Sequence, residues 1–349
     1  MASKDEFWCS PLSTGIPLRI RAVSFSTPRE VISSSQIDLS LELQLGTISG
    51  ECGVERRFHV SPDETVISLA VKAADSALIR AELNIRDIDL ILAAGATPYQ
   101  LIPSNAVLVH RGLGAPAHVN CLDLDSTCLS FLSGLEVAAA LIHSGTKKRI
   151  MLLNSELGSS GIDRTQREDV SLFGDAATCY ILEKGDDTSP RLMGSRFATL
   201  SEFHDLCQLE GGGSKFPAFD YSEENRHRYY FRMQGPKLFK TALAHLPDFV
   251  NTFLTDLGIS MSDIGVVVPH QASGPAVELL RRKLAVPKER CAVILNEYGN
   301  CISASIPLAL AGCLGEAVTG YCPPVKAGHH VLLVGTGAGL TMGAAVIRF

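Results

Sequence analysis

Short apolar runs bounded by turn residues recur along the chain, and they recur twice in the same order. Arg86-Asp87-Ile88-Asp89-Leu90-Ile91-Leu92 is echoed by Ser262-Asp263-Ile264-Gly265-Val266-Val267-Val268, each after a helix-like stretch and each running into a loop with a proline. Runs this apolar predict strands covered on both faces. Downstream, His110 to Pro116 is echoed by Arg281 to Pro287, and Arg149 to Leu153 by His330 to Val334. Each half reads strand, helix, strand, Ala-rich helix, strand. That order predicts a duplicated α/β unit with mainly parallel strands and covering helices. The polar, Pro-containing stretch Lys184 to Pro190 sets the boundary, giving halves 1–185 and 186–349. Gly211 to His227 is expected to be a surface insertion.

Chemistry gathers where strands give way to helices. The strand predicted over His118 to Asp123 leads through Asp125-Ser126-Thr127-Cys128 into an apolar helix, Leu129 to His143. A thiol at a helix N-terminus meets unpaired amides and a positive dipole end, which favour thiolate. The same position suits a small buried hydrophobe, and position alone does not choose. In the second half the strand Ile264 to Val268 ends in Pro269-His270-Gln271-Ala272. Strand ends of this kind point into the ligand crevice of α/β proteins, although a single histidine also serves as a structural hydrogen-bonding group. The next predicted strand, Ala292 to Leu295, leads to Tyr298-Gly299-Asn300 and a helix over Ser303 to Ala311. Asn300 is thereby expected at the junction equivalent to that of Cys128, or else as a turn residue after glycine. An approximate two-fold axis between the halves would bring Cys128, His270 and Asn300 to one crevice.

Composition narrows the function class. The 349 residues are 46% hydrophobic and 19% charged, which predicts a chain folded throughout. A net charge of −6 argues against general nucleic-acid binding. Ten cysteines lie scattered in apolar segments without a Cys-x-x-Cys pair, which predicts free thiols in a reducing compartment and no metal site. No apolar run reaches the roughly 20 residues that span a bilayer, and Met1 to Ser10 lacks the order of a signal peptide. A cytoplasmic protein is expected. Gly335-Thr336-Gly337-Ala338-Gly339 imitates a dinucleotide fingerprint, but only about ten residues follow it, too few for a βαβ unit.

Taken together, several segments resemble the β-ketoacyl-acyl-carrier-protein synthase III branch of the thiolase superfamily, nearly end to end. They are Asp125 to Cys128 before a Gly134-containing helix, Phe173-Gly174-Asp175-Ala176-Ala177, Met233-x-Gly-x-x-x-Phe239-Lys240, His270-Gln271-Ala272, Tyr298-Gly299-Asn300, and Gly335 to Phe349. The resemblance implies a duplicated, five-layered αβαβα thiolase-like fold, a homodimer, and a Cys128, His270, Asn300 triad. Cys128 would take an acyl group from coenzyme A or acyl carrier protein. A malonyl thioester would then lose carbon dioxide and attack that group. His270 and Asn300 would hold the enolate oxygen, and the backbone amides of Cys128 and Ala338 the acyl oxyanion, with no metal or redox cofactor.

Departures from the family pattern bear on substrate. Priming members carry a tryptophan and an arginine upstream of the Gly-x-x-x-Arg turn, where they contact the coenzyme A adenine. Here that turn is Gly53-Val54-Glu55-Arg56-Arg57, and the only tryptophan is Trp8. Ile102 stands where a related head-to-head condensing branch has glutamate, and by resemblance it bounds the acyl pocket across the dimer interface. Ser273 replaces a common asparagine. Arg281, Arg282 and Lys283 lie where relatives dock the acidic carrier protein, with Lys237 and Lys240 as further candidates; a solvated helix face is the alternative. Two other functions are compatible with this scaffold. An acyltransferase would esterify or amidate a small acceptor, and retained Asn300 argues against it. A non-catalytic subunit would be expected to lack the nucleophile, and Cys128 is present.

Overall fold

A computed structural model describes residues 15–163 and 166–349, with the side chains of 168 and 169 excepted. Trp8 and the segment Met1 to Ser10 lie outside the described residues. The principal strands are β1 (Ile16–Ser26), β2 (Leu90–Ala94), β3 (Asn120–Leu124), β4 (Arg149–Leu157), β5 (Asp175–Lys184), β6 (Arg191–Thr199), β7 (Ile264–Pro269), β8 (His330–Gly337) and β9 (Thr341–Arg348). The helices that cover them are α1 (Val66–Ala81), α2 (Asn105–Gly112), α3 (Ser130–His143), α4 (Gly235–Asp256), α5 (Gly274–Lys283) and α6 (Ser305–Cys313).

The strands join in the order β7-β8-β9-β6-β1-β5-β4-β2-β3. β1 and β6 touch only at Ile16↔Leu192 and Pro17↔Arg191, so this is two sheets that meet along one seam. From the seam outward the first half runs β1, β5, β4, β2, β3 and the second β6, β9, β8, β7. In both halves the first two contacts are antiparallel and the outer ones parallel. The repeat read in the sequence is therefore a repeat of topology. One element differs from expectation. The strand predicted at Ala292 to Leu295 is reduced to isolated bridges, Val267↔Cys291 and Val293↔Tyr321, and the chain then turns into a single helical turn, Leu295–Tyr298.

Side-chain pattern sets the layers. α6 is apolar around its circumference, as a helix between two sheets must be, while α3 buries most of its surface and leaves Glu136, Ala140 and His143 exposed along one edge. In α6 Ser305, Ile306, Pro307, Leu308, Ala309, Leu310, Ala311 and Cys313 are all buried. Both helices belong to one central core with strands of both sheets. On the far side of the first sheet α1 presents Ala70, Ala73, Ala74, Ala77 and Ala81, and such small residues let it lie close to β1, β4 and β5. α4 and α5 cover the second sheet through Leu246, Val250, Phe253, Val277 and Leu280. The result is five layers, αβαβα. The hydroxyl of buried Tyr180 on β5 donates to the Pro307 carbonyl of α6 at 2.6 Å, which pairs the polar end of a ring otherwise committed to the core.

Candidate active site

Between β3 and α3 the chain makes a tight turn, Thr127–Leu129, that places Cys128 at the entrance to the central helix. Thr127 has φ +52°, a left-handed conformation unusual for a β-branched residue. The turn before α6, Ile302–Ala304, has the same construction, with Ile302 at φ +48°. In the first turn Asp125 Oδ1 accepts from the Thr127 N–H at 2.7 Å, and the Ser126 N–H donates to Ser130 Oγ at 2.9 Å. In the second, Asn300 Oδ1 accepts from the Ile302 N–H at 2.9 Å, and the Cys301 N–H donates to Ser305 Oγ at 3.0 Å. The residue equivalent to Cys128 is thus Ser303, and the equivalent of Asn300 is Asp125. The two junctions are equivalent, as the sequence suggests, but Asn300 stands three residues before the position that matches Cys128.

His270 follows β7 directly and its N–H donates to the Val334 carbonyl at 2.8 Å. Two glycines of β8 make room for the groups that converge here. A Cβ on Gly335 would lie 2.6 Å from His270 Cβ and 3.4 Å from the Leu129 side chain, and one on Gly337 would strike Thr127 Oγ1 and lie 3.3 Å from the Ser126 carbonyl. Residues 335 and 337 face the same way along the strand, so His270 and the Cys128 turn pack side by side against one face of β8, with Ala338 next along the chain. Asn300 is tied to the same loop, its Nδ2 donating to the Ala272 carbonyl at 3.4 Å. Gln271 holds that loop down. Its fully buried amide donates to the Pro269 carbonyl at 2.8 Å and accepts from the N–H groups of Ile294 and Leu295 at 3.0 and 3.2 Å. The sequence offered Gln271 as part of a motif but not this bracing role.

Electrostatically the site is dry. His270 is 7% exposed, its Nδ1 has no hydrogen-bond partner, and burial lowers its pKa to about 4. The imidazole is therefore neutral at physiological pH and free to accept a proton. Burial pushes the Cys128 thiol up, and Cys207, Glu156 and Asp125 add to the shift. This reverses the expectation of a thiolate prepared by the helix N-terminus. The tight turn intervenes between the sulfur and the first turn of α3, and desolvation outweighs the dipole. Activation then falls to proton transfer as the sulfur attacks. Glu156, which no sequence pattern marked, is fully buried at the end of β4, and burial raises its pKa to about 7.

Asn300 is held by a crossing of two backbones. The Asn300 N–H donates to the Leu172 carbonyl at 2.8 Å, and the Gly174 N–H donates to the Asn300 carbonyl at 3.1 Å. A Cβ on Gly174 would run into the Tyr298 carbonyl, and one on Gly299, which has φ +68°, would lie 2.6 Å from the Leu172 carbonyl. These contacts account for the glycines of Phe173-Gly174 and Tyr298-Gly299 together. Because the obstacle is backbone, Gly174→Ala is expected to cost about 3 kcal/mol or more. A urea-unfolding midpoint unchanged from wild type would contradict this.

A cavity of about 50 Å³ opens beside His270 between α4 and α5, lined by Phe239, Leu243, Leu246, Val277 and Leu280 among others. The remaining sequence candidates are more peripheral. Ile102 stands 86% exposed on the loop before α2. Arg281 and Arg282 both bond to Glu278, and Arg281 also donates to the Val286 carbonyl, so Arg281 is largely spent within its own helix and turn. Lys283, Lys237 and Lys240 are exposed. Among the described residues no group of three or more His, Cys, Asp or Glu is arranged to hold a metal ion, and no helix is long and apolar enough to cross a membrane.

Comparison with known proteins agrees with this geometry. Residues 122–201 match the family model described as 3-oxoacyl-[acyl-carrier-protein] synthase III, and residues 254–349 match its C-terminal counterpart. A β-ketoacyl-[acyl-carrier-protein] synthase III of Erythrobacter litoralis is 30% identical over 332 residues, covering 95% of this chain and 98% of that protein. The enzyme of the same name from Methylococcus capsulatus is 31% identical over 331 residues, with the same coverage of 95% and 98%. The crystal structure of 3-oxoacyl-[acyl-carrier-protein] synthase III from Aquifex aeolicus superposes with a TM-score of 0.83 at 29% identity, covering 95% of this chain and all of that one.

Proposed function

The chain belongs to the β-ketoacyl-[acyl-carrier-protein] synthase III family, and from that premise we propose that it is a decarboxylating condensing enzyme whose nucleophile is Cys128, served by His270 and Asn300. The observation that carries the assignment is the packing of the Cys128 turn and neutral, buried His270 side by side against one face of β8, with Asn300 bonded to the His270 loop.

In the first half-reaction Cys128 sulfur attacks the carbonyl carbon of an acyl thioester and its proton passes to His270. The oxyanion is met by the backbone amides of Cys128 and Ala338, and the donor's thiolate leaves with that proton. In the second, a malonyl thioester loses its carboxylate as carbon dioxide. The electron pair of the broken bond becomes an enolate, whose oxygen is held by N–H donors of His270 and Asn300. Its carbon then attacks the acyl group, a carbon-carbon bond forms, and Cys128 leaves as the thiolate. Asn300 suits this task because its Oδ1 is committed to the Ile302 amide, which fixes the side chain, while Nδ2 carries two hydrogens and spends one on a long bond to Ala272. Preorganised donors in a dry site stabilise such charge most strongly.

This division of labour is testable. Asn300→Ala is expected to leave acylation of Cys128 near the wild-type rate and slow condensation about 10²-fold. Single-turnover measurement of each half-reaction separates the two, and an equal loss in both would remove Asn300 from the enolate step.

The acyl donor is an acyl carrier protein or coenzyme A thioester, and the reaction draws on no further cofactor. Lys283, with Arg282 on the same exposed helix end, is the docking candidate that the internal bonds of Arg281 leave. A homodimer would bury exposed Ile102 and let it bound the partner's acyl pocket. Residues 1–185 supply the nucleophile and 186–349 its two partners. The enzyme works in the cytoplasm.

A further inference from the structure

Beneath the Cys128 turn lies a buried carboxyl that the mechanism above does not use. Glu156 Oε1 accepts from the Ala96 N–H at 2.8 Å and from the Ser303 hydroxyl, and its Oε2 accepts from the Thr97 hydroxyl at 2.5 Å. Asn154 Nδ2 in turn donates to Ser303 Oγ at 3.2 Å. Ser303 is the counterpart of Cys128 in the second half, three residues beyond Asn300. Thr97 opens the loop that carries Ile102, and its carbonyl accepts from Asn105 Nδ2 at 2.9 Å. One carboxyl thus ties the Asn300 turn to the loop before α2. No described ion pair gives it a cation, and three donors without a counter-charge are a costly way to bury a carboxylate. The titratable groups facing it add no positive charge: Asp125 and Cys128 come from the turn before α3, and Cys301 from the turn before α6. Asp175, on the paired strand β5, is turned to Ser159 and Val60.

We propose that Glu156 is a proton-linked positioning residue for the condensing site: its carboxyl fixes the Ser303 turn and the 95–97 segment, and its charge opposes negative charge on Cys128. Protonation lets the carboxyl donate to Ser303 Oγ, whose own hydrogen can then turn to the Ala94 carbonyl 3.3 Å away. The brace survives while the charge is withdrawn. A pKa near 7 puts the exchange in the working range. The proposal rests on Cys128 being the nucleophile.

The test is the rate of Cys128 alkylation by iodoacetamide between pH 6 and pH 9, resolved by peptide mass spectrometry, in the full chain and Glu156→Gln. Equal rates near pH 6 and an excess of about threefold or more in Glu156→Gln near pH 8.5 are expected, because only the wild type then carries the opposing charge. A ratio that stays constant with pH, whether one or not, would overturn the proposal, since a purely packing role has no proton dependence. Thr97→Val supplies an independent reading should Glu156→Gln not fold. In the wild type the alkylation rate rises less steeply with pH over the range where the Glu156 carboxyl ionises; removing a donor from the carboxylate moves that range up by roughly half a pH unit, and an unmoved profile would also overturn the proposal. Alkylation needs neither acyl donor nor malonyl thioester, so a failed synthase assignment would appear separately, as absent condensation with the alkylation profile intact.

Discussion

Cys128→Ala is expected to reduce condensation at least about 10³-fold and to abolish the covalent acyl adduct, because the chain then has no sulfur at the turn where both half-reactions meet. The loss should be one of chemistry and not of folding. Cys128 is only half-buried by its accessible surface, and trimming one sulfur there costs about 1 kcal/mol. Far-ultraviolet circular dichroism and a thermal midpoint close to wild type are the controls. Other thiols do not replace it. Cys179, Cys291, Cys301 and Cys313 are buried in the core, and Cys207, although near enough to raise the Cys128 thiol, lies outside the turn. Retained turnover in Cys128→Ala would refute the assignment outright.

His270→Ala is expected to slow malonyl decarboxylation about 10²- to 10³-fold through loss of a donor in a water-poor site. Its pH behaviour is as diagnostic as its size. With its pKa lowered to about 4 by burial, His270 stays neutral well below the ordinary 6.5 of a free imidazole. An acid limb due to His270 therefore falls near pH 4, and a decline around pH 7 belongs to another group. The same shift affects stability. As pH drops below 6.5 the unfolded chain binds a proton at this position that the folded one refuses. Stability contributed by neutral His270 is thus complete above that value and falls progressively down to about pH 4. The variant should lack this component of acid destabilisation, which urea titration at pH 7 and pH 5 would show as a smaller difference between the two conditions than in wild type.

Much of this arrangement was legible from residue order. The buried runs at β2 and β7, the apolar helices after Cys128 and Asn300, and the repeated spacing of strands are local patterns, and they translate directly into two similar sheets. What the sequence hid depends on geometry at single residues. The left-handed turns at Thr127 and Ile302 shift the equivalence so that Cys128 answers to Ser303, and neither residue is the glycine that usually announces such a conformation. The strand expected over Ala292 to Leu295 is shortened because Leu295 already begins a helical turn braced by Gln271. Thiol acidity at Cys128 is set by desolvation, and sequence shows the helix start but not the burial around it. Glu156 is hidden in the same way: a glutamate in Asn154-Ser155-Glu156 looks like a strand-end charge until its burial is known.

The measurement closest to the central claim is intact-protein mass spectrometry of the wild-type chain, first with acyl thioesters of coenzyme A and acyl carrier protein, then after adding a malonyl thioester. The account predicts an acyl increment that peptide mapping assigns to Cys128, followed by its loss as a β-ketoacyl thioester appears in equal amount. An adduct on another residue, or discharge from Cys128 to an alcohol or amine without a ketoacyl product, would contradict it.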